Sequence, residues 1–352
     1  ATNLIVTTSY RAVLQSGVCS ITNSASATIK IETNTWDGSS WSTGFPPTSS
    51  QTIVFNGNYN ENENIEGCSC EVISGNVTVQ DGKTLTLTNE LKVTGGSLTF
   101  ENNASLVQEN DAAINSGNIK YKRHTAAVRR YYFTYWSSPV TPQTLYDLSP
   151  NTLSDKYFGF NSDLNDYIIY NNGAHNMVAG LGYLIRAPQT SDIVTAAIDT
   201  NPTFFGVPNN GNYTVSSTAT AVNNKSYLLG NPYPSALDAI TFLNNNSVLD
   251  GTLYFWTHNS NVTAVGAFYE YSDNDYATFN LTGGTGVAST NPGVSTSPPT
   301  GKIAAGQGFF ATGIATGPIN FTNAMRVGVG SITGDNSQFF RTTKTKAKTT
   351  TA

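Results

Sequence analysis

Two short acidic segments contain the residue types best suited to holding a metal ion. Asp163 and Asp166 enclose Leu-Asn, Asp273 and Asp275 enclose a single Asn, and both segments end in Asn-Asp-Tyr. Clustered carboxylate and amide oxygens are the ligands of Ca²⁺, which takes about six to eight of them. Neither segment has the spacing of an EF-hand loop, and Asp and Asn are also common turn residues. We therefore predict turns at both segments, with calcium binding as the alternative.

Cys19, Cys68 and Cys70 are the three cysteines of the chain. An odd number leaves at least one thiol without a disulfide partner. Cys68 and Cys70 are two positions apart, so on a strand their side chains would point to the same face. A strained local disulfide, a bridge from one of them to Cys19, and reduced buried thiols are all open at this point.

No histidine has a partner nearby in the sequence that would indicate catalysis or zinc binding. His124 lies among Lys and Arg, His175 in a Gly/Asn segment and His258 beside Asn, all far from the cysteines. A zinc site needs about four ligands, so we expect none. The chain has no G-x-S-x-G motif and no phosphate-binding glycine loop before a helix. We expect that the protein is not an enzyme.

Tryptophans could stack on a sugar ring. Trp36 and Trp41 are close together in a loop-rich segment, whereas Trp136 and Trp256 end aromatic-rich runs. Because burial is the common fate of a large aromatic side chain, we expect Trp36 and Trp41 to cap the domain that follows them. A carbohydrate-binding module using these four rings, with surface glycans as partners, is the alternative.

The composition favours strands joined by turns. Charged residues are only 12% of the 352 residues, while 18 Tyr and 17 Phe provide material for real cores. The net charge of −5 and the lack of a basic stripe argue against nucleic acid as a partner, and basic residues such as Arg123 are expected on solvated surfaces. No apolar run reaches about 18 residues, so we predict no transmembrane segment. The prediction is an all-β fold.

Residues 1–32 are predicted to form a pair of strands, over residues 8–14 and 25–31, because apolar and polar residues alternate there. Two strands alone are marginally stable in water at best. An unpaired edge seeks complementation, so we expect this segment to self-associate by strand addition.

Residues 33–125 contain short apolar pairs such as Val77–Val79, Leu85–Leu87 and Leu91–Val93, separated by Gly, Asn and Asp. The pairs recur about every six to eight residues, which fits the rungs of a short β-solenoid. A tight meander is the alternative.

Residues 126–341 have longer and more aromatic strands, which predicts a larger β-sandwich of jelly-roll-like type. Only residues 235–243 have helical spacing, with Ser235 as a suitable N-cap. Residues 342–352 resemble a linker.

The string TTSYRAVLQSGVCSITNSASATIKI resembles the last two strands of immunoglobulin-like repeats in very long Bacteroidota surface proteins. In those repeats the Cys of the SGVC segment is generally matched by a Cys near the first strands. The resemblance implies that residues 1–32 are the end of such a repeat and that Cys19 lacks its partner. Because there is no starting Met and no signal peptide, we expect a processed product or a piece of a longer protein.

The strings YFTYWSSPV, GYLIRAP, GNPYPSALDA, LYFWTHN, GKIAAGQGFFA and NSQFFR follow one another in the second half. In this order they resemble the C-terminal module of Bacteroidota proteins exported by the type IX secretion system, over roughly residues 33–341. In that family a sorting domain usually follows QFFR after a short linker. Its absence here implies a mature product or a trimmed chain.

Together these observations predict a secreted structural or adhesive protein of the cell surface, exported across a bacterial outer membrane. It would be a self-assembling filament subunit or the terminal part of a long adhesin. Apart from the possible calcium at Asp163, Asp166, Asp273 and Asp275, we expect no cofactor.

Overall fold

The computed structural model describes residues 8–29, 32–125, 128–191, 202–257, 260, 262–266, 268–286 and 298–339. The chain is almost entirely β, with 45% strand and 6% helix, which confirms the predicted all-β class. In the part described, no helix has the length and apolar character needed to span a membrane.

The first described segment is an irregular β-hairpin. Its strands are β1 (Thr8–Tyr10), β2 (Val13–Leu14), β3 (Thr22–Asn23) and β4 (Ala27–Ile29). β1 pairs antiparallel with β4, and β2 pairs antiparallel with β3. The amide of Ser24 donates to the carbonyl of Ala12 (2.9 Å) between the two paired parts. The predicted strand pair is therefore present.

A parallel β-solenoid follows the hairpin. Its strands are β5 (Glu32–Trp36), β6 (Gln51–Asn56), β7 (Ile65–Gly67), β8 (Ser69–Ser74), β9 (Asn76–Val79), β10 (Thr84–Leu87), β11 (Leu91–Val93), β12 (Ser97–Phe100), β13 (Ser105–Gln108) and β14 (Ile119–Lys122). They form three faces, in the orders β11-β8-β6-β5, β13-β10-β7 and β14-β12-β9. Pairings among these strands are parallel, so the alternative of a meander is wrong, because a meander pairs successive strands antiparallel.

From β8 onward, one full coil of the solenoid takes 21 residues, as the stacked pairs Asn76 with Ser97 and Asn89 with Asn110 show. An earlier coil, from Thr52 to its partner Ser69, takes 17. The apolar pairs are therefore the three strands of a single coil, one on each face, and not successive rungs. Gly75, Gly96 and Gly117 occupy equivalent corners with φ of 82°, 67° and 78°. A Cβ on Gly96 would also meet the carbonyl oxygen of Gly75. The corner therefore requires glycine both for its positive φ and for lack of space.

Apolar side chains stack in columns inside the solenoid. Ile53, Cys70 and Leu91 occupy equivalent positions in successive coils and are 0–1% exposed. On the next face, Val79, Phe100 and Tyr121 form a second column. Each coil thus buries a side chain that it could not bury alone, which is the source of stability in a solenoid.

The predicted aromatic cap is present at the first coils. Trp36 and Trp41 are each 8% exposed and pack edge to face with ring centroids 5.3 Å apart. Tyr59 and Phe55 complete this cluster. The amide of Ser42 donates to the carbonyl of Thr35 (2.8 Å), so the loop after β5 folds back along that strand.

The second half contains two short α-helices and many antiparallel strands. The strands are β15 (Phe133–Trp136), β16 (Val140–Thr141), β17 (Tyr157–Asn161), β18 (Asp166–Ile169), β19 (Tyr183–Arg186), β20 (Thr203–Pro208), β21 (Tyr213–Thr218), β22 (Lys225–Gly230), β23 (Leu237–Asp238), β24 (Leu249–Trp256), β25 (Thr263–Val265), β26 (Phe268–Glu270), β27 (Tyr276–Asn280), β28 (Gly283–Thr285), β29 (Lys302–Ile303), β30 (Gly308–Gly313) and β31 (Thr316–Phe321). The helices are α1 (Leu145–Leu148) and α2 (Ala239–Asn244), with 3₁₀ turns at Asn171–Gly173, Asp273–Asp275 and Asn323–Met325.

Two antiparallel sheets make up most of this half, in the orders β15-β19-β17-β18 and β22-β30-β24-β27-β28. Side chains of β30 alternate between two cores. Phe309 packs with Phe242 of α2, whereas Phe310 packs with Tyr135 and Phe160 of the facing sheet. The five-stranded sheet is therefore covered on both faces.

Helix α2 begins later than the sequence predicts. Its N-cap is Asp238, whose side chain accepts a hydrogen bond from the amide of Thr241 (2.7 Å). Ser235 instead accepts from Nε of Arg326. The prediction of Ser235 as N-cap is wrong because Leu237 and Asp238 are extended and pair with Ile303 and Lys302.

The solenoid and the second half share structure at their junction. β14 pairs in parallel with β12 and antiparallel with β20, so one sheet passes over the predicted boundary at residues 125 and 126. Arg123, expected on the surface, is fully buried there, and its guanidinium lies 5.1 Å from the ring centroid of Phe339. Asn336 donates to the carbonyl of Ala104 (2.9 Å) and to the hydroxyl of Tyr121 (2.6 Å). Residues 335–339, which we call the strap, thus anchor into the junction.

Candidate functional site

The first calcium candidate is the turn between β17 and β18. Asn161 Oδ1 accepts from the amides of Asp163 and Leu164, as expected for a turn closed by a side chain. Asp163 Oδ1 accepts from Nζ of Lys225 (2.6 Å), and this hydrogen bond is the main cause of the lowered pKa of Asp163. Asp166 Oδ1 accepts from the amide of Tyr167 (2.7 Å). The predicted turn is present, and these carboxylates have partners within the protein.

The second calcium candidate is the 3₁₀ turn Asp273–Asp275. Asp275 is 1% exposed, and its Oδ1 accepts from the amide of Ser260 (2.7 Å). Its carbonyl accepts from the amide and the hydroxyl of Thr257. Asp273 is exposed. Over the described ranges, no three His, Cys, Asp or Glu residues gather where they could hold a metal ion, so calcium at either turn stays a prediction.

The three cysteines are free thiols in the structure, which agrees with the reduced alternative. Cys70 stands in a core column between Ile53 and Leu91, and burial raises the pKa of its thiol. The Sγ of Cys68 accepts from Nδ2 of Asn89 (3.3 Å). A disulfide between Cys68 and Cys70 would take the sulfur of Cys70 out of its core column. It would also break the hydrogen bond from Asn89 to the sulfur of Cys68. Cys19 is exposed on the hairpin.

His124 and His175 are the histidines that the structure describes. His175 stacks on Tyr170 with ring centroids 3.8 Å apart, and burial lowers its pKa. The amide of His124 donates to Asn102. His258 lies outside the described residues.

Trp136 and Trp256 each line a pocket, whereas Trp36 and Trp41 pack in the aromatic cap. Trp36, Trp41 and Trp136 are buried in the main core. Trp256 faces a cavity of about 300 Å³ between the two large sheets of the second half, which we call the aromatic pocket. Its lining residues are Phe133, Tyr135, Phe158, Tyr167, Leu184, Trp256, Tyr271, Asp273 and Tyr276.

Three tyrosine hydroxyls meet at the base of the aromatic pocket. The hydroxyl of Tyr135 lies 3.0 Å from that of Tyr167 and 2.6 Å from that of Tyr276. Burial, followed by the neighbouring tyrosines, raises the pKa of Tyr135 well above its usual value. The two hydrogen bonds join these hydroxyls and fix the positions of the rings.

The shared Asn-Asp-Tyr ending of the two acidic segments was the sequence signal for this pocket. Tyr167 follows Asp166 on β18, and Tyr276 follows Asp275 at the start of β27. The two tyrosines come from different sheets and converge on Tyr135 of β15. The segments are therefore alike because each ends in a pocket residue, and their carboxylates do not form a common site.

Fold and site together define an all-β protein with a parallel solenoid, antiparallel sheets and an aromatic pocket. A family model described as a domain of unknown function (DUF8693) matches residues 29–352, and the chain belongs to this family. No curated protein and no solved structure matches the chain.

Proposed function

We propose that this chain is a structural or adhesive protein of the cell surface that self-associates through the hairpin of residues 8–29. The observation that supports this function is the exposure of apolar side chains on that hairpin. Val13, Leu14, Val18 and Ile21 are 58–104% exposed. A two-stranded hairpin that leaves such side chains in water is marginally stable and gains stability when a partner covers them.

Strand addition is the mode of association that we propose. Among the described residues, β1 and β4 pair with each other and with no other strand, so each leaves one edge open to a further strand. Such an edge accepts a strand from another chain through main-chain hydrogen bonds. Repeated between copies, this contact gives a filament.

Export and surface location are part of this proposal and rest on the resemblance to type IX secretion cargo. A body of stacked strands that carries few charges suits a passive extracellular role. In the second form of the proposal, the chain is the terminal part of a long adhesin, and a preceding repeat covers the hairpin.

The test compares the chain with the double variant Val13→Ser, Leu14→Ser. We expect the unchanged chain to form oligomers that grow with concentration, measured by light scattering after size exclusion and by negative-stain electron microscopy. The double variant should be monomeric, because it loses apolar surface worth about 1.5–3 kcal/mol per fully buried side chain.

Ile114→Ser is the matched control, because Ile114 is 83% exposed but lies outside the hairpin. It should assemble like the unchanged chain. A chain that is monomeric at every concentration, with rapid tryptic cleavage at Arg11, would contradict self-association.

The carbohydrate-binding alternative is tested at the aromatic pocket, where Trp256 lies among several other rings on which a sugar could stack. A glycan array probed with the chain and with Trp256→Ala tests it. Binding that the variant loses would support this second function.

A further inference from the structure

We propose that the aromatic pocket binds a methylated ammonium group, such as the trimethylammonium group of choline. This inference does not depend on the proposed self-association. It rests on the ring faces of the pocket, on the charge of its lining and on the engagement of its hydroxyl groups.

Ring faces surround the cavity from several directions. Trp256 and Tyr276 are inclined at 64° with centroids 4.9 Å apart, and Trp256 and Tyr271 at 62° with centroids 6.4 Å apart. Phe133 is inclined at 67° both to Tyr271 and to Phe158. The negative face of an aromatic ring attracts a cation, and several non-parallel rings form the cages that bind quaternary ammonium ions.

The charge of the lining has the sign that a cation requires. Asp273 is the one charged residue among the described lining residues of the pocket, and it is exposed. Arg186 lies outside the lining, with its guanidinium 5.5 Å from the ring centroid of Tyr131 and a hydrogen bond to Gln189 (3.0 Å). Burial raises the pKa of Tyr271, and the positive charge of Arg186 acts on this tyrosine in the opposite direction, with a smaller effect. A cation in the pocket would therefore be attracted by Asp273 and would bind on the side of the pocket away from Arg186.

The hydroxyl groups favour a methylated cation over a sugar. The hydroxyl of Tyr135 bonds to those of Tyr167 and Tyr276, which uses two of the three O–H donors, and the hydroxyl of Tyr271 donates to the carbonyl of Tyr131 (3.0 Å). A sugar would need free donors and acceptors for its own hydroxyl groups, since an unmatched polar group loses free energy on burial. A trimethylammonium group presents only methyl groups and charge.

The size of the cavity fits a small group. Its volume of about 300 Å³ is at the lower end of the range for small-molecule pockets, which is about 300–1,000 Å³.

The test measures binding of choline chloride by isothermal titration and by saturation-transfer NMR. The neutral isostere 3,3-dimethyl-1-butanol is titrated in parallel. We expect choline to bind about tenfold more tightly or better, because the isostere has the same shape without the charge. Asp273→Asn should weaken choline binding about tenfold, and Trp256→Leu should weaken it at least as much.

Asp166→Asn is the matched control. It removes the same charge from the other acidic segment, outside the pocket lining, and should leave choline binding unchanged. Trp256→Phe retains a ring face and should keep most of the binding if Trp256→Leu proves unstable. Thermal melts show whether each variant is folded.

Equal affinities for choline and its isostere, or no binding of choline, would overturn the proposal. Binding of a glycan that choline does not displace would overturn it in favour of the carbohydrate-binding function. Sedimentation with phosphatidylcholine vesicles without binding of free choline would also overturn it, because the proposed ligand is the soluble ammonium group.

Discussion

Asn89 shows how single polar residues join successive coils of the solenoid. Its Nδ2 donates to Sγ of Cys68 in the coil before, and its Oδ1 accepts from Nδ2 of Asn110 in the coil after. Its carbonyl also accepts from Nε2 of Gln108 (2.8 Å). Asn89 is 1% exposed, so these bonds form away from water, where an unmade bond is costly.

We expect Asn89→Ala to lower the free energy of unfolding by about 1–3 kcal/mol, because Asn110 loses a buried partner. Urea unfolding followed by circular dichroism measures the change. Asn76→Ala is the control: Asn76 accepts from the Ser97 hydroxyl of the next coil (2.8 Å) but is exposed. Equal losses of unfolding free energy in the two variants would contradict the inference that burial makes the hydrogen bonds of Asn89 more costly to lose.

At the scale of the residue, the sequence predicts an environment that follows from a side chain's own chemistry. It does not predict an environment that depends on residues remote in the chain. Burial of Trp36 and Trp41 follows from their chemistry, and the structure confirms it. Burial of Arg123 does not follow, because its partners, the ring of Phe339 and the carbonyl of Asn336, are remote in the chain. The convergence of Tyr167 and Tyr276 on Tyr135 likewise depends on contacts between two sheets.

The strap bonds to partners more than 200 residues away in the chain. Its Asn336 bonds to Ala104 and Tyr121 of the solenoid and accepts from the amide of Ala305 in the second half. Phe339 is 1% exposed and packs on Trp136 with ring centroids 5.2 Å apart. A short segment without regular secondary structure thus joins both halves.

We expect Phe339→Ala to lower the free energy of unfolding by about 3–5 kcal/mol, as for other large-to-small changes at buried aromatic positions. The measurement is chemical denaturation monitored by tryptophan fluorescence. Phe45→Ala, at a residue that is 75% exposed, should change stability little. A loss below about 1 kcal/mol for Phe339→Ala would show that the strap does not hold the junction.

Strands were predictable as elements, and their assembly into coils was not. Alternation predicts the strands β9, β10 and β11. β9 and β11 bury one face, whereas all four residues of β10 are buried. The coil of 21 residues was missed because its strands differ in length and the turns between them differ in sequence, so no obvious repeat marks the period. The start of α2 was missed because pairing with β29 keeps Leu237 and Asp238 extended.

At the scale of the whole molecule, the junction couples the two halves. β14 is a strand of the solenoid and also pairs with β20, and one core cluster contains Leu98 and Phe100 together with Tyr183 and Phe204. Neither half would keep its buried surface without the other.

We therefore expect residues 32–339 to unfold in a single transition in differential scanning calorimetry, with calorimetric and van't Hoff enthalpies in agreement. The hairpin contributes little because its apolar side chains are exposed. Two resolved transitions would show that the halves are independent. Deletion of residues 8–29 is the control and should leave the transition temperature nearly unchanged.

The regular coil also means that the solenoid can be lengthened by whole coils. Because the coils from β8 onward use 21 residues and their strands pair in parallel, duplication of one of them would extend the stack without changing the register of its neighbours. Each added coil would lengthen the stack by about 4.8 Å, the distance between adjacent strands. Family members could therefore differ in reach by whole coils while they keep the same junction and the same aromatic pocket.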